Sequence, residues 1–133
     1  MSNDYETYAL GDWEMQSGEK IPNAHIAYQT FGDPSNPAVI YPTAYSLLIS
    51  DITWLIGEDK TLSPKDYFII TPALFGNGQS SSPSNRRDLR PFPYTTFYDN
   101  VRAQHELVTK KLGVQHAKAV IGWSMGAGQC FQW

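Results

Sequence analysis

The sequence predicts an α/β fold in which an N-terminal antiparallel hairpin leads into a parallel sheet with crossover helices. Three observations carry that prediction. Residues 8–15 and 21–31 alternate loosely about a break at Gly18-Glu19, the pattern of a hairpin. Ala38-Val39-Ile40-Tyr41, Lys65 to Thr71 and Ala117 to Ile121 are short, mostly apolar runs, as strands covered on both faces show. A helical stretch separates the last two, and strand, crossover helix, strand gives a right-handed unit and a parallel sheet.

The elements follow in order. In the return strand of the hairpin, Ala24, Ile26, Tyr28 and Thr30 are spaced by two, which turns His25 to the opposite face, where a solvated imidazole is expected. Gly32 to Pro37 is a dense turn cluster that feeds the strand 38–41, which Pro42 stops. Thr43 to Ser50 reads as a loop, and Ile52 to Ile56 has room for one or two helical turns. Pro64 and Pro72 bracket the strand over 65–71. The long loop Phe75 to Asn85 holds glycines, yet it lacks the Walker lysine, and G-x-G-x-x-G fails because residue 81 is serine, so turn chemistry explains it.

Thr95 to Leu112 is the clearest helix. Thr96 with Asp99 resembles a capping box, Val101, Leu107 or Val108, and Leu112 supply an apolar face, and Gly113 follows as a left-handed stop. His105 lies among the polar residues Arg102 and Glu106, and His116 sits in the turn before the last strand. No linker divides residues 1–133, which read as a single incomplete domain.

Composition excludes several classes of function. A formal net charge of −3, with the ten Lys and Arg scattered, gives no electrostatic footprint for nucleic acid or an anionic membrane. Nothing in the sequence asks for a metal ion. The one cysteine, Cys130, cannot form an internal disulfide and reads as a small buried apolar residue. The acidic start Met1 to Glu6 lacks the features of a signal peptide, and no apolar run is long enough to span a membrane, so the expected location is the cytoplasm.

The chemistry concentrates at Val120 to Gly128. Gly122-Trp123-Ser124-Met125-Gly126 fits G-x-S-x-G, the nucleophile elbow, in which a strained strand-to-helix turn lifts one serine out of the sheet. Such a bend brings backbone close to backbone, so the flanking positions must lack a Cβ. A Gly-rich turn holding an ordinary serine is the plainer alternative. A small nucleotide-binding domain using Gly122, Gly126 and Gly128 is another, but it lacks an acidic residue after the next strand to hold a ribose.

From about Ala24 to Trp133 the chain resembles the N-terminal part of the homoserine O-acetyltransferase-like branch of the α/β-hydrolase superfamily. The residues that carry the resemblance begin with Ala27 to Gly32, Trp54 to Gly57, and Leu62 with Asp66 to Ile70. Phe75 to Gly78 with Ser80 to Pro83, Asp99 to Gln104 and the elbow complete the series. The resemblance implies acyl transfer through a covalent acyl-serine on Ser124. It also implies an oxyanion hole built from the N–H of Met125 and an N–H near Thr43 to Tyr45, assigned to Ala44. At Pro42 to Ser46 the sequence departs from the His-Ala-Leu-Thr-like segment of the true acetyltransferases and looks more like the divergent hydrolases. A small ester or acyl compound is the implied substrate, no resident cofactor is implied, and acetyl-CoA enters as co-substrate if the enzyme is a true acyltransferase. Tyr45, Trp54 and Trp123 suit either an acyl pocket or core packing.

A serine hydroxyl needs a base, itself oriented by a carboxylate, and in this fold both follow the serine in the chain. Residues 125–133 contain no acid and no histidine. His116 precedes the elbow strand, and six residues of strand span about 20 Å, which puts it at the far end from Ser124. The chain therefore reads as a fragment, inactive alone, with the strand 117–121 open along one edge. That edge invites association with a second copy or with a complementing C-terminal chain. A non-catalytic remnant that pairs through the same edge is the competing interpretation.

Overall fold

In the computed structural model, which describes residues 4–133, five strands form one mixed sheet in the order β1-β2-β4-β3-β5. The part of the N-terminal reading that concerns residues 1–3 lies outside the described residues. The strands are β1 (Glu6–Glu14), β2 (Lys20–Phe31), β3 (Ala38–Ile40), β4 (Phe68–Pro72) and β5 (Ala117–Val120). β1 and β2 make the antiparallel hairpin, whose turn is closed by Met15 N–H donating to the Glu19 carbonyl (2.7 Å). β2 pairs antiparallel with β4, and β3 runs parallel to both β4 and β5. The expected α/β fold, hairpin first and parallel strands after, is what forms.

The core occupies both faces. On one, Trp13, Ile21, Ile26 and Tyr28 from the hairpin pack with Ala103 and Leu107, and Ile40 and Ile70 pack with Val108. On the other, Val39, Tyr41 and Ile69 meet Ile52 and Leu62. Ile52 closes the short helix α1 (Ile49–Ile52), which tightens into a 3₁₀ turn at Thr53–Leu55. β3 and β4 are buried at every residue, as their unbroken apolar runs require. β5 hydrogen-bonds on one side only among the described residues, and Ala117, Ala119 and Val120 are half-buried.

The crossover helix α2 (Phe97–Glu106) lies between β4 and β5 in the chain and continues as a wider π turn over Leu107–Lys111. Its capping box is formed: Asp99 N–H donates to Thr96 Oγ1 (3.2 Å), and Thr96 N–H donates to Asp99 Oδ2 (2.9 Å). The other oxygen, Asp99 Oδ1, accepts from Gln16 N–H (2.7 Å) and so fastens the hairpin turn to the helix start. Gly113, at φ +68°, ends the helix in the left-handed region. Thr96→Ala is expected to cost about 1 kcal/mol, the usual value of an N-cap. Asp99→Ala should cost about twice that, because the Gln16 and Thr96 amides, both in part-buried hydrogen bonds to this carboxylate, lose their acceptor together. A shift of the urea unfolding midpoint at constant slope would measure both, and equal costs would show that the Gln16 bond contributes nothing.

Candidate active site

Beyond β5 the chain stays in register for one more bond, Ile121 N–H to the Ile40 carbonyl (2.9 Å), then bends. Ser124 sits at the apex with φ 51° and ψ −126°, a backbone region that L-residues enter only under strain. The helix α3 (Met125–Gln132) starts at the next residue, and Ser124 is exposed. The local sequence explains the bend. An ideal Cβ on Gly122 would lie 2.6 Å from the Gly126 carbonyl carbon and 2.8 Å from its oxygen, so the strand can turn back this tightly only without one. A Cβ on Gly126 would lie 3.3 Å from the Pro42 carbonyl oxygen, because the loop after β3 crosses directly over it.

Helix α3 begins its hydrogen bonding with Ala127 N–H to the Trp123 carbonyl (3.1 Å) and Gly128 N–H to the Ser124 carbonyl (3.2 Å). Met125 N–H precedes these, among the first-turn donors that a helix leaves without an internal acceptor. The loop after β3 is pinned on all sides. Thr43 N–H donates to the Pro72 carbonyl (3.1 Å), and Thr43 Oγ1 accepts from Leu74 N–H (3.1 Å). The Ala44 carbonyl accepts from Asn77 Nδ2 (2.8 Å) and Leu47 N–H (3.1 Å), while the Thr43 carbonyl accepts from Gln129 Nε2 (2.9 Å) on α3. Ala44 is buried, and its Cβ lies 3.9 Å from where a Gly126 Cβ would be. Ser124, Met125 and Ala44 thus converge at one end of the sheet.

A cavity of about 510 Å³ opens there, lined by Tyr45, Leu74, Phe75, Asn77, Phe97 and Met125 among others. Of the three aromatic residues singled out in the sequence, only Tyr45 lines it, and Tyr45 is 72% exposed. Trp123 instead stacks on Trp54 (ring centroids 5.4 Å apart) and meets the edge of Tyr41 (6.2 Å).

The histidines lie elsewhere. His105 is exposed on α2 with its ring 6.0 Å from that of Trp133, and His116 is exposed at the foot of β5. The expectation of a solvated His25 is corrected. Its ring is half-buried, with Nε2 2.8 Å from the Gln79 carbonyl and Nδ1 3.3 Å from Ser81 Oγ. The cause is the segment 79–82, which lies along β2 where β4 no longer pairs with it. Ser80 Oγ accepts from Ala27 N–H, and Ser81 Oγ accepts from His25 N–H (both 2.9 Å). Cys130 is half-buried, its Sγ donating to the Gly126 carbonyl (3.3 Å), and burial pushes its thiol above the ordinary value, away from thiolate chemistry.

Sequence reasoning passed over Gln129, Gln104 and Asn77. All three point into the molecule and hold backbone or one another. The available signal was the helical spacing that puts Gln129 on the same face as Met125 and Gly126.

The family model described as alpha/beta hydrolase fold matches residues 44–133. The chain belongs to the α/β-hydrolase family. A probable esterase of Corynebacterium glutamicum is 39% identical to this α/β hydrolase over 97% of the chain and 39% of its own length. A homoserine O-acetyltransferase of Zymomonas mobilis is 36% identical over 92% of the chain and 39% of its own length. Among solved structures, the acetyl esterase MekB superposes with a TM-score of 0.93 at 32% identity, over 97% of the chain and 39% of that protein. The chain thus spans about two-fifths of the length of these relatives. No helix among the described residues is long and apolar enough to cross a membrane.

Proposed function

We propose that this α/β hydrolase carries the nucleophile half of a serine-dependent acyl-transfer site acting on small acyl esters. The observation that carries the proposal is Ser124 itself, exposed at φ 51° between a strand end and a helix start. In the proposed step Ser124 Oγ attacks the acyl carbonyl carbon and its proton passes to a base. The oxyanion receives N–H donors from Met125 and from the loop at Ala44. The C–O bond to the alcohol then breaks as the base returns its proton to the departing oxygen, the neutral alcohol leaves, and the acyl group stays on serine until water or a second alcohol takes it.

The names of the relatives support both outcomes of the second step, esterase and acetyltransferase. The cavity beside Met125 is walled largely by Leu74, Phe75 and Phe97, which suits a short apolar acyl or alkyl group. Acetyl-CoA would serve as donor only in the transferase. Because no acid or histidine follows Ser124 within the 133 residues, those residues alone are proposed not to turn over. Work in the reducing cytoplasm fits the single unpaired cysteine.

The test is p-nitrophenyl acetate hydrolysis with mass spectrometry of the Ser124 peptide. In the full-length protein the expected result is an acetyl adduct on Ser124 and turnover that Ser124→Ala abolishes. An adduct elsewhere, or turnover that survives the substitution, removes the serine assignment. Turnover by the 133-residue chain at the rate of a complete serine esterase would overturn the proposal that these residues do not turn over alone. The half-buried edge strand β5 favours a second reading, a non-catalytic chain that pairs through that edge with a second copy or a complementing chain. A stable monomer in solution counts against it.

A further inference from the structure

We infer that Gln129 is a positioning residue that sets the gap between the two N–H donors of the oxyanion hole. The inference rests on the serine acyl-transfer proposal above. Gln129 is fully buried on α3, and its Nε2 donates to two carbonyls, that of Thr43 (2.9 Å) and that of Met125 (3.2 Å). The Thr43 carbonyl belongs to the peptide whose N–H is that of Ala44, and Met125 carries the other donor. One side-chain amide therefore ties together the two elements from which the hole is built, independently of any substrate.

The bond also fixes direction. In a trans peptide the C=O and the N–H point opposite ways, so holding the Thr43 oxygen holds the Ala44 N–H. A flipped peptide would aim that N–H at Gln129 Nε2, donor against donor, and would leave a buried amide unpaired. Asn77 acts in the same sense on the next peptide, through the Ala44 carbonyl (2.8 Å).

The Gln129 amide cannot rotate to oblige a flip. Trp133 Nε1 is a donor only, and it bonds Gln104 Oε1 (2.9 Å). Gln104 is left to donate through Nε2 to Gln129 Oε1, which leaves Gln129 only Nε2 for the loop. The far end agrees, since the Thr43 carbonyl can only accept. Thr43, Gln104 and Gln129 are all fully buried, where polar groups are tolerated only when each is paired. An aliphatic side chain would fill the same space, yet would leave the loop peptide free to turn.

The test uses the full-length protein with p-nitrophenyl acetate, comparing Ser124→Ala, Gln129→Leu and Gln129→Glu for kcat, KM and pH profile, with circular dichroism to establish folding. Gln129→Leu is expected to lower kcat roughly 10- to 100-fold with KM within about twofold, short of the loss of a whole donor. Gln129→Glu keeps the shape. Protonated, it still donates to the Thr43 carbonyl; ionised, it cannot. Its kcat relative to the wild type should therefore fall as pH rises through the new carboxyl's pKa, a signature that a packing role would not give. If the leucine variant does not fold, the glutamate ratio alone decides. An unchanged kcat in a folded Gln129→Leu, or a pH-independent ratio for Gln129→Glu, overturns the inference while Ser124→Ala remains inactive. If Ser124→Ala keeps its activity, or the protein has none, the serine proposal falls first and this inference with it.

Discussion

Gly122→Ala is expected to destabilise the protein by about 3 kcal/mol, the upper end of ordinary overpacking, and in the full-length protein to abolish the proposed acyl transfer. The three atoms nearest the added methyl are all main chain: the Gly126 carbonyl carbon at 2.6 Å, its oxygen at 2.8 Å and the Ala127 nitrogen at 3.0 Å. Rotating a side chain cannot relieve these backbone contacts, so α3 must lift off the end of β5. Ser124, Met125 N–H and the Gln129 bond to the loop all travel with α3, and a displacement near 1 Å costs on the order of 100-fold in rate. Two neighbouring glycines supply controls. Gly128→Ala would meet the Phe97 ring at 2.5 Å, but that side chain is partly exposed and can swing aside. Gly126→Ala faces the Pro42 carbonyl oxygen at 3.3 Å, a looser approach, and gains helix propensity worth about 0.5–1 kcal/mol that offsets part of the contact, so it should cost clearly less than Gly122→Ala. Denaturant unfolding and p-nitrophenyl acetate hydrolysis rank the three. If Gly122→Ala proves as mild as Gly126→Ala, the close approach of strand end and helix does not govern the elbow.

What could be read from the sequence and what could not divide along a physical line. The hairpin, the buried strands, the Thr96–Asp99 cap and the Gly113 stop are local, each set by residues within a turn or a few strand positions of one another. The elbow was legible for the same reason, since Gly122, Ser124 and Gly126 act on one bend. The His25 contacts were hidden because their partners, Gln79 and Ser81, come from more than fifty residues downstream. Ser80, Ser81 and Ser82 read as polar loop yet are fully buried, the hydroxyls of Ser80 and Ser81 taking the place of a sheet ladder along β2 and that of Ser82 closing the loop on the Ser80 carbonyl. Gln104 and Gln129 were hidden in the same way. On a helical wheel they are two polar residues, and only the packing of α2 against α3 makes them a bonded pair.

Ser124→Gly is expected to make the protein more stable while lowering the proposed acyl-transfer rate of the full-length protein by several orders of magnitude. With φ at 51° and ψ at −126°, Ser124 occupies a region whose cost for an L-residue is of order 1–3 kcal/mol. Glycine removes that cost, and gives back about 0.5–1 kcal/mol through its freer unfolded chain. Ser124→Ala keeps the Cβ and therefore the strain. Both variants lose the hydroxyl, so both should lose acylation by roughly three to six powers of ten, with any residue of rate coming from the oxyanion donors. The informative comparison is between the two. Equal activity losses with the glycine variant more stable by about 1 kcal/mol in thermal or denaturant unfolding mean that the protein spends folding energy to present this oxygen. A glycine variant no more stable than the alanine variant would mean the bend is unstrained, and backbone geometry would no longer distinguish Ser124 from an ordinary serine in a glycine-rich turn.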